Sequence, residues 1–571
     1  MTDKPAKISI SMNKVGEIVW EIYETYRAED PEKALSKYLA LAGEYLASGQ
    51  KLHEIYLVRD IFLRASFIET QLSQDAIFRS LENFLCELEQ LCPDIIIHLT
   101  NIIELTSLKN GYSEKWVKGV IFSVFMSKKF MPTESLNKLH YLDSVERYTF
   151  ANLIKKVESA KNIAEFYEKT APEISETVAT IRDKYRIKKP VGEMEPKICF
   201  YIWGDATTAH FENLFNFFRY AKQFGYSLEK YVVLGRILGD SKFFENTCSE
   251  IGVKYVLLPF IDKPLEDALY LKSVCLKLNA ASIVFISVLT RMQIYASFKL
   301  APKQIFWAMK YHDYTNLNID FFIGQAILGI HPIYANTKWK FARGAYSTLF
   351  DLTKEEKAKK IRANLGGNYR ILAGILGRSE KMQSKEYLES ICNLLKTNSD
   401  TLFIWSGRTE IVEVTDFFEK NGVLDQTKFI GWVDTFLYAQ VLDVQLDTFP
   451  FASGFTSARV MGAGKPVVTL CTQESVTSSL ATYHKIFVSD LVPEEIRRDY
   501  EEIFTFENGN VTYPFCEKIE EYEELSDKII RDDDFRKNLG CRCRKWVEKY
   551  FLDHKSSAVT TVELLDEVSG L

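Results

Sequence analysis

From residue 195 onward the chain alternates short, uninterrupted apolar runs with stretches of helical spacing, and this alternation restricts the fold more than any other feature. Ile198 to Trp203 reads ICFYIW, with no polar residue to mark a solvent face. A strand of that kind is buried on both faces, and strands buried on both faces belong to parallel sheets covered by helices. The pattern repeats as a helix over 212–224, YVVLG at 231–235, a helix, VKYVLLP at 253–259, a helix over 264–278 and ASIVFIS at 281–287. A helix at 290–299, QIFWAM at 304–309 and DFFIG at 320–324 complete this first series. A second series starts at YRILAGI (369–375) and runs through TLFIWSG (401–407), KFIG (428–431), DVQLDTF (443–449) and KPVVTL (465–470), again with helices between. Strand and helix in strict alternation predict parallel sheets with crossover helices.

Two such series in one chain of 571 residues predict an α/β protein with two doubly wound, Rossmann-like lobes, over 195–350 and 365–516. Residues 335–368 read as an irregular connector, and 517–571 as charged helices packing back across the lobes. In front of the lobes, residues 1–190 read as an all-helical domain. Ala34, Tyr38, Leu41 and Tyr45 recur at helical spacing there, and alternating strand patterns are missing. No 34-residue period supports a repeat array. Asp183 to Pro190 reads as a linker.

Composition excludes several classes. With 47% hydrophobic and 26% charged residues the chain is an ordinary globular protein, not a disordered one. A net charge of -6 gives it none of the whole-chain attraction of a nucleic-acid binder. The most apolar run, Ala280 to Leu289, is too short to span a bilayer. The N-terminus lacks the apolar core of a secretion signal. Ten cysteines lie mostly inside apolar runs, and the CxC at Cys541 and Cys543 has no second ligand pair for a metal. These features predict a cytoplasmic protein with reduced thiols and no metal.

Ligands of doubly wound sheets bind beyond the carboxyl ends of the strands. The strongest chemical signal sits at such a place, in LDTFPFASGFTSARVMGAGKPVVTL (446–470). A strand ends near Phe449, a turn carries Gly454, Phe455, Thr456 and Ser457, and a helix begins. Gly454 allows close backbone approach, Thr456 and Ser457 are able to cap the helix, and its first amides suit an anion such as phosphate. In the turn after the first strand of the same lobe, Arg378 and Lys381 supply two cations for a diphosphate. Neither a P-loop nor a dinucleotide GxGxxG is present. In the first lobe, GDATTAHFENL (204–214) follows the first strand and offers His210 as a general base, with Asp205 as second candidate. His312 follows QIFWAM as a further cleft candidate. Arg459 reads either as an outer-face salt bridge or as a cleft residue.

The pairing of GRSEK after the first strand with LDTFP…SGFTS…GAGKPVVT resembles nucleotide-sugar glycosyltransferases of the two-lobed GT-B type. Within them it is most similar to glycosyltransferase family 41, which contains the O-GlcNAc transferases and the bacterial N-glycosyltransferases of high-molecular-weight adhesins. ASFKLAPKQIFWAMKYHD (296–313) is similar to a segment of the family's first lobe. The likeness covers about residues 195–490. It implies that Lys381 binds the donor diphosphate, that Gly454, Phe455, Thr456 and Ser457 hold the donor phosphates, and that Gln304, which matches the glutamine of the family's LAPIQ segment, binds substrate. Arg459 and Val460 stand where the family has a carboxylate for the ribose hydroxyls, and His312-Asp313 replaces a His/Tyr-Pro pair. The implied reaction is metal-independent, inverting transfer from a nucleotide sugar, a UDP-hexose or UDP-N-acetylhexosamine, to a protein side chain. The donor is a substrate, so no cofactor is expected, and the partners are the donor and a protein acceptor, without nucleic acid or membrane. A transferase acting on a glycan or small molecule, and a non-catalytic scaffold or chaperone of the same fold, stay open beside it.

Overall fold

The structure, a computed structural model, describes residues 133–144, 146, 160–182, 184–185, 195–286, 291–308, 318–325, 339–342, 351–367, 369–450, 452–472 and 480–571. The expected all-helical N-terminal domain lies largely outside these residues. Two of its helices, Ser135–Ser144 and Ala160–Arg182, are described, and both pack on the first lobe. Asp143 of the first is buried and accepts from Arg291 at 2.7 Å. Arg182 at the end of the second donates to the Ser297 carbonyl at 3.1 Å.

The first lobe is built on β1 (Lys197–Asp205), β2 (Tyr231–Leu238), β3 (Lys254–Leu257), β4 (Ala280–Ile286), β5 (Lys303–Ala308), β6 (Phe321–Gln325) and β7 (Trp339–Ala342). All pairings are parallel, in the spatial order β3-β2-β1-β4-β5-β6-β7. The apolar runs explain this directly. Ile198, Phe200 and Ile202 of β1 join one hydrophobic cluster with Phe217, Phe218, Val284 and Trp307. Cys199 and Tyr201, pointing the other way, join a second cluster with Ile283, Phe285 and Tyr295. Alternate residues of one strand thus fill two cores, which is why no position in the run is polar.

The second lobe repeats the plan with β8 (Ile371–Ile375), β9 (Thr401–Trp405), β10 (Thr427–Phe429), β11 (Val444–Leu446), β12 (Val467–Leu470) and β13 (Phe515–Cys516). Their order is β10-β9-β8-β11-β12-β13, also all parallel. In both sheets the chain starts at the centre, builds one half and then crosses to the other. The reversal falls between β1 and β4 in the first lobe and between β8 and β11 in the second. A crevice opens at the carboxyl ends of those strand pairs.

Two parts of the connector differ from the expected irregular chain. β7 extends the first sheet, and a helix covers Glu355–Gly366. The four-residue WKFA of β7 is too short to show periodicity, and β6 supplies its pairing. β13 escapes notice for the same reason.

The C-terminal helices bind both lobes. Tyr522 on the helix Ile519–Arg531 donates to the Asp447 carbonyl in the second lobe at 3.1 Å. The last helix, His554–Ser569, lies on the first lobe, where Lys230 meets Asp566 at 2.5 Å and the Ser282 and Ser569 hydroxyls are 2.7 Å apart. Among the described residues no helix is long and apolar enough to cross a membrane.

Candidate functional site

The turn after β11 begins the site. Asp447, the first residue past the strand, is fully buried, and its carboxylate organises everything that follows. It accepts from the Ser453 amide at 3.0 Å and from the Ser457 hydroxyl at 3.1 Å. The chain is thereby drawn back on itself between 447 and 457, so that the helix Phe455–Gly462 starts directly above the strand end. Gly454 is the N-cap and, having no side chain, makes no capping bond itself. Thr456 and Ser457 therefore do not cap the helix, contrary to expectation. Ser457 is wholly buried and accepts from the Gln445 side chain at 2.8 Å. Its hydroxyl is part of the scaffold under the turn. Gly454, Phe455 and Thr456 are half-buried at the surface of the turn.

The turn after β8 lies against it. Arg378 precedes the short 3-10 segment Ser379–Gln383 and Lys381 lies within it, and both are half-buried. Lys381 Nζ donates to the Ala452 carbonyl at 2.7 Å. Ser379 fits beneath Gly407 of the turn after β9, where a Cβ would come within 2.5 Å of the serine side chain. These contacts bring Lys381 and the helix terminus together at the switch point, with Arg378 three residues earlier in the same turn, a placement of positive charge that suits an anion such as a diphosphate. Burial pushes the Asp447 carboxyl up to about 6, against the pull of the Lys381 ammonium beside it.

On the first lobe, His210 opens the helix Ala209–Gln223 that follows β1, and is half-buried. Asp205 ends β1. Its carboxylate accepts from the Thr207 amide at 2.9 Å and the Thr207 hydroxyl at 2.7 Å, which hold it below the usual carboxylate range. A carboxylate so held is a weak base. Asp205 instead reaches Arg408 of the second lobe at 3.4 Å.

Gln304 stands apart from this group. It is the second residue of β5, at the amino end of the sheet and therefore opposite the crevice. Its side chain accepts from the Leu300 amide at 2.9 Å and donates to the Ala296 and Asn318 carbonyls, both at 2.8 Å. It is buried, and it staples loops rather than binding substrate. His312 lies outside the described residues.

Sequence reasoning missed Glu212 and left Arg459 undecided. The Arg459 guanidinium, in the helix after β11, binds the Glu212 carboxylate at 2.5 Å, in the helix after β1. The pair is not on the outer face. It bridges the two lobes across the crevice. Nothing local identifies either partner, because 247 residues separate them.

No family model matches the chain, and no curated protein matches its sequence. Solved structures do. A lysine-to-methionine mutant of the Thermobaculum terrenum O-GlcNAc transferase is similar over 98% of this chain and 99% of that one, with 13% identity and a TM-score of 0.51. This chain has the GT-B fold. At such identity the likeness shows the fold and nothing finer. Anabaena HepE, in complex with UDP and glucose, matches 65% of the chain over its own full length, with 14% identity and a TM-score of 0.47.

Proposed function

We propose that the protein is a glycosyltransferase that moves a sugar from a nucleotide-sugar donor to a protein side chain. The observation that carries the reading is the contact, at the switch point of the second lobe, between Lys381 and the turn that opens the helix Phe455–Gly462, with Arg378 in the same turn as Lys381. The departing diphosphate develops negative charge as the glycosidic bond breaks, and preorganised amides and cations stabilise that charge most in the transition state. With two cations and a helix dipole in place, our reading needs no metal ion and no cofactor.

His210 enters from the facing lobe. In our reading it takes the proton of the acceptor as the acceptor attacks the anomeric carbon opposite the leaving diphosphate, which inverts that centre. Its neighbour Asp205 stays ionised through its Thr207 bonds. A protein acceptor is favoured by the helices packed in front of the first lobe and by the full-length similarity to an enzyme named for O-GlcNAc transfer. We place the enzyme in the cytoplasm, on the ordinary number of cysteines, ten, and their position mostly inside apolar runs of the sequence.

A melting-temperature panel of UDP, UDP-glucose and UDP-N-acetylglucosamine tests the donor site, since a ligand of the folded state alone raises the transition. Stabilisation by UDP-sugars that disappears in Lys381→Ala supports the reading. A flat panel with UDP, UDP-glucose and UDP-N-acetylglucosamine refutes it for these donors.

A further inference from the structure

We propose that Glu212 and Arg459 are a positioning pair that sets the distance between the candidate base and the phosphate turn; the kinetic part of this proposal rests on the transferase reading above. Glu212 lies in the first turn of its helix, two residues after His210. Arg459 lies one turn into the helix whose terminus is the phosphate turn. The ion pair therefore ties together the two helix starts that face each other across the crevice.

The guanidinium is held before it meets Glu212. It donates to the Thr435 hydroxyl at 2.7 Å and lies 4.0 Å from the centre of the Phe436 ring. Phe436 is also approached by Lys354 of the connector, at 5.3 Å, and Lys354 binds Asp434 at 2.5 Å. The second lobe thus fixes the planar fork from two sides, and the same segment anchors the connector between the lobes. Nη1 is taken by the Thr435 hydroxyl, so Nη2 alone meets both oxygens of Glu212, and a guanidinium pinned in this way makes that contact only at one lobe spacing. The pair is largely buried, with 10% and 25% of the side chains exposed, whereas Asp205 and Arg408 are 39% and 63% exposed. Water screens the outer contact and leaves the inner one to determine spacing.

Glu212→Gln, Arg459→Met and the exchanged double variant Glu212→Arg/Arg459→Glu test the proposal. Small-angle scattering without ligand reads lobe spacing, calorimetry with UDP reads the donor site, and steady-state assays read kcat. Each single variant should show a larger radius of gyration and a kcat lowered by about 100-fold, the cost of displacing reacting groups by about an ångström. UDP affinity should stay within a few-fold, because the phosphate turn belongs to one lobe. The exchanged variant should recover compactness and at least a tenth of the lost turnover. Single variants with wild-type scattering, or an exchanged variant no better than the singles, overturn the proposal. Opening by scattering in a protein that binds no UDP would uphold the spacing role and refute the transferase reading separately.

Discussion

Lys381 donates to the carbonyl of Ala452 at 2.7 Å, so the turn after β8 is tied to the turn after β11 at the point where strand order reverses. The lysine has two tasks there: it completes the turn, and it places an ammonium beside the helix terminus.

Lys381→Ala should remove transfer while leaving a folded protein. Loss of one charge donor from a preorganised site costs about 2.7–4 kcal/mol of transition-state stabilisation, a fall of about 10²- to 10³-fold in kcat. Turnover assays and melting curves on the same preparation check this. Turnover within tenfold of wild type places the diphosphate elsewhere.

His210→Gln should lower kcat by about 10²- to 10⁴-fold, the usual contribution of a general base. UDP affinity should not change, because the histidine belongs to the first lobe and the proposed diphosphate site to the second. Calorimetry and initial rates separate the two effects. A variant with normal kcat returns His210 to a packing role.

Asp447 gives stability a pH dependence with a definite sign. Its carboxyl is raised from 3.8 to about 6 in the folded protein, so the native state binds the proton more tightly than the unfolded chain. Stability from this group is complete below about 4 and is lost as pH rises through 6, in total about 3 kcal/mol. Asp447→Asn should flatten the stability profile between pH 4 and 6 relative to wild type. Chemical denaturation at four or five pH values measures it, and parallel profiles count against a protonated Asp447.

Gly540→Ala should destabilise the second lobe. A Cβ at this position of the helix Asp533–Phe551 would lie 2.1 Å from the Gly464 carbonyl oxygen, which is backbone and unable to rotate away. Overpacking of this kind costs about 1–3 kcal/mol. A lower denaturant midpoint is expected. An unchanged midpoint would mean that the C-terminal helices stand further from the lobe.

Much of the architecture was legible in local pattern. ICFYIW, ASIVFIS and TLFIWSG are strands buried on both faces, and their alternation with helices led to two parallel sheets. The strand-turn-helix of LDTFP…SGFTS was equally readable, because a glycine and small polar residues at the end of an apolar run have few other uses. The short strands β7 and β13 were not, since four and two residues carry no period and form only when a neighbouring strand offers its hydrogen bonds.

Side-chain roles divided along the same line. Ser457 and Gln304 have the composition of ligand-binding residues, and their sequence neighbours cannot tell a hydroxyl aimed at a ligand from one aimed at a buried carboxylate. Only the folded chain shows Ser457 bonded to Asp447 and Gln304 at the amino end of its sheet. Arg459 is the sharpest case. Its sequence surroundings set a helix and a position one turn from the phosphate turn, while its partner Glu212 is chosen by how the two lobes dock. Periodicity records the forces that act within one element. Which charges meet across a crevice is decided by the packing of elements far apart in the chain, and that appears only in three dimensions.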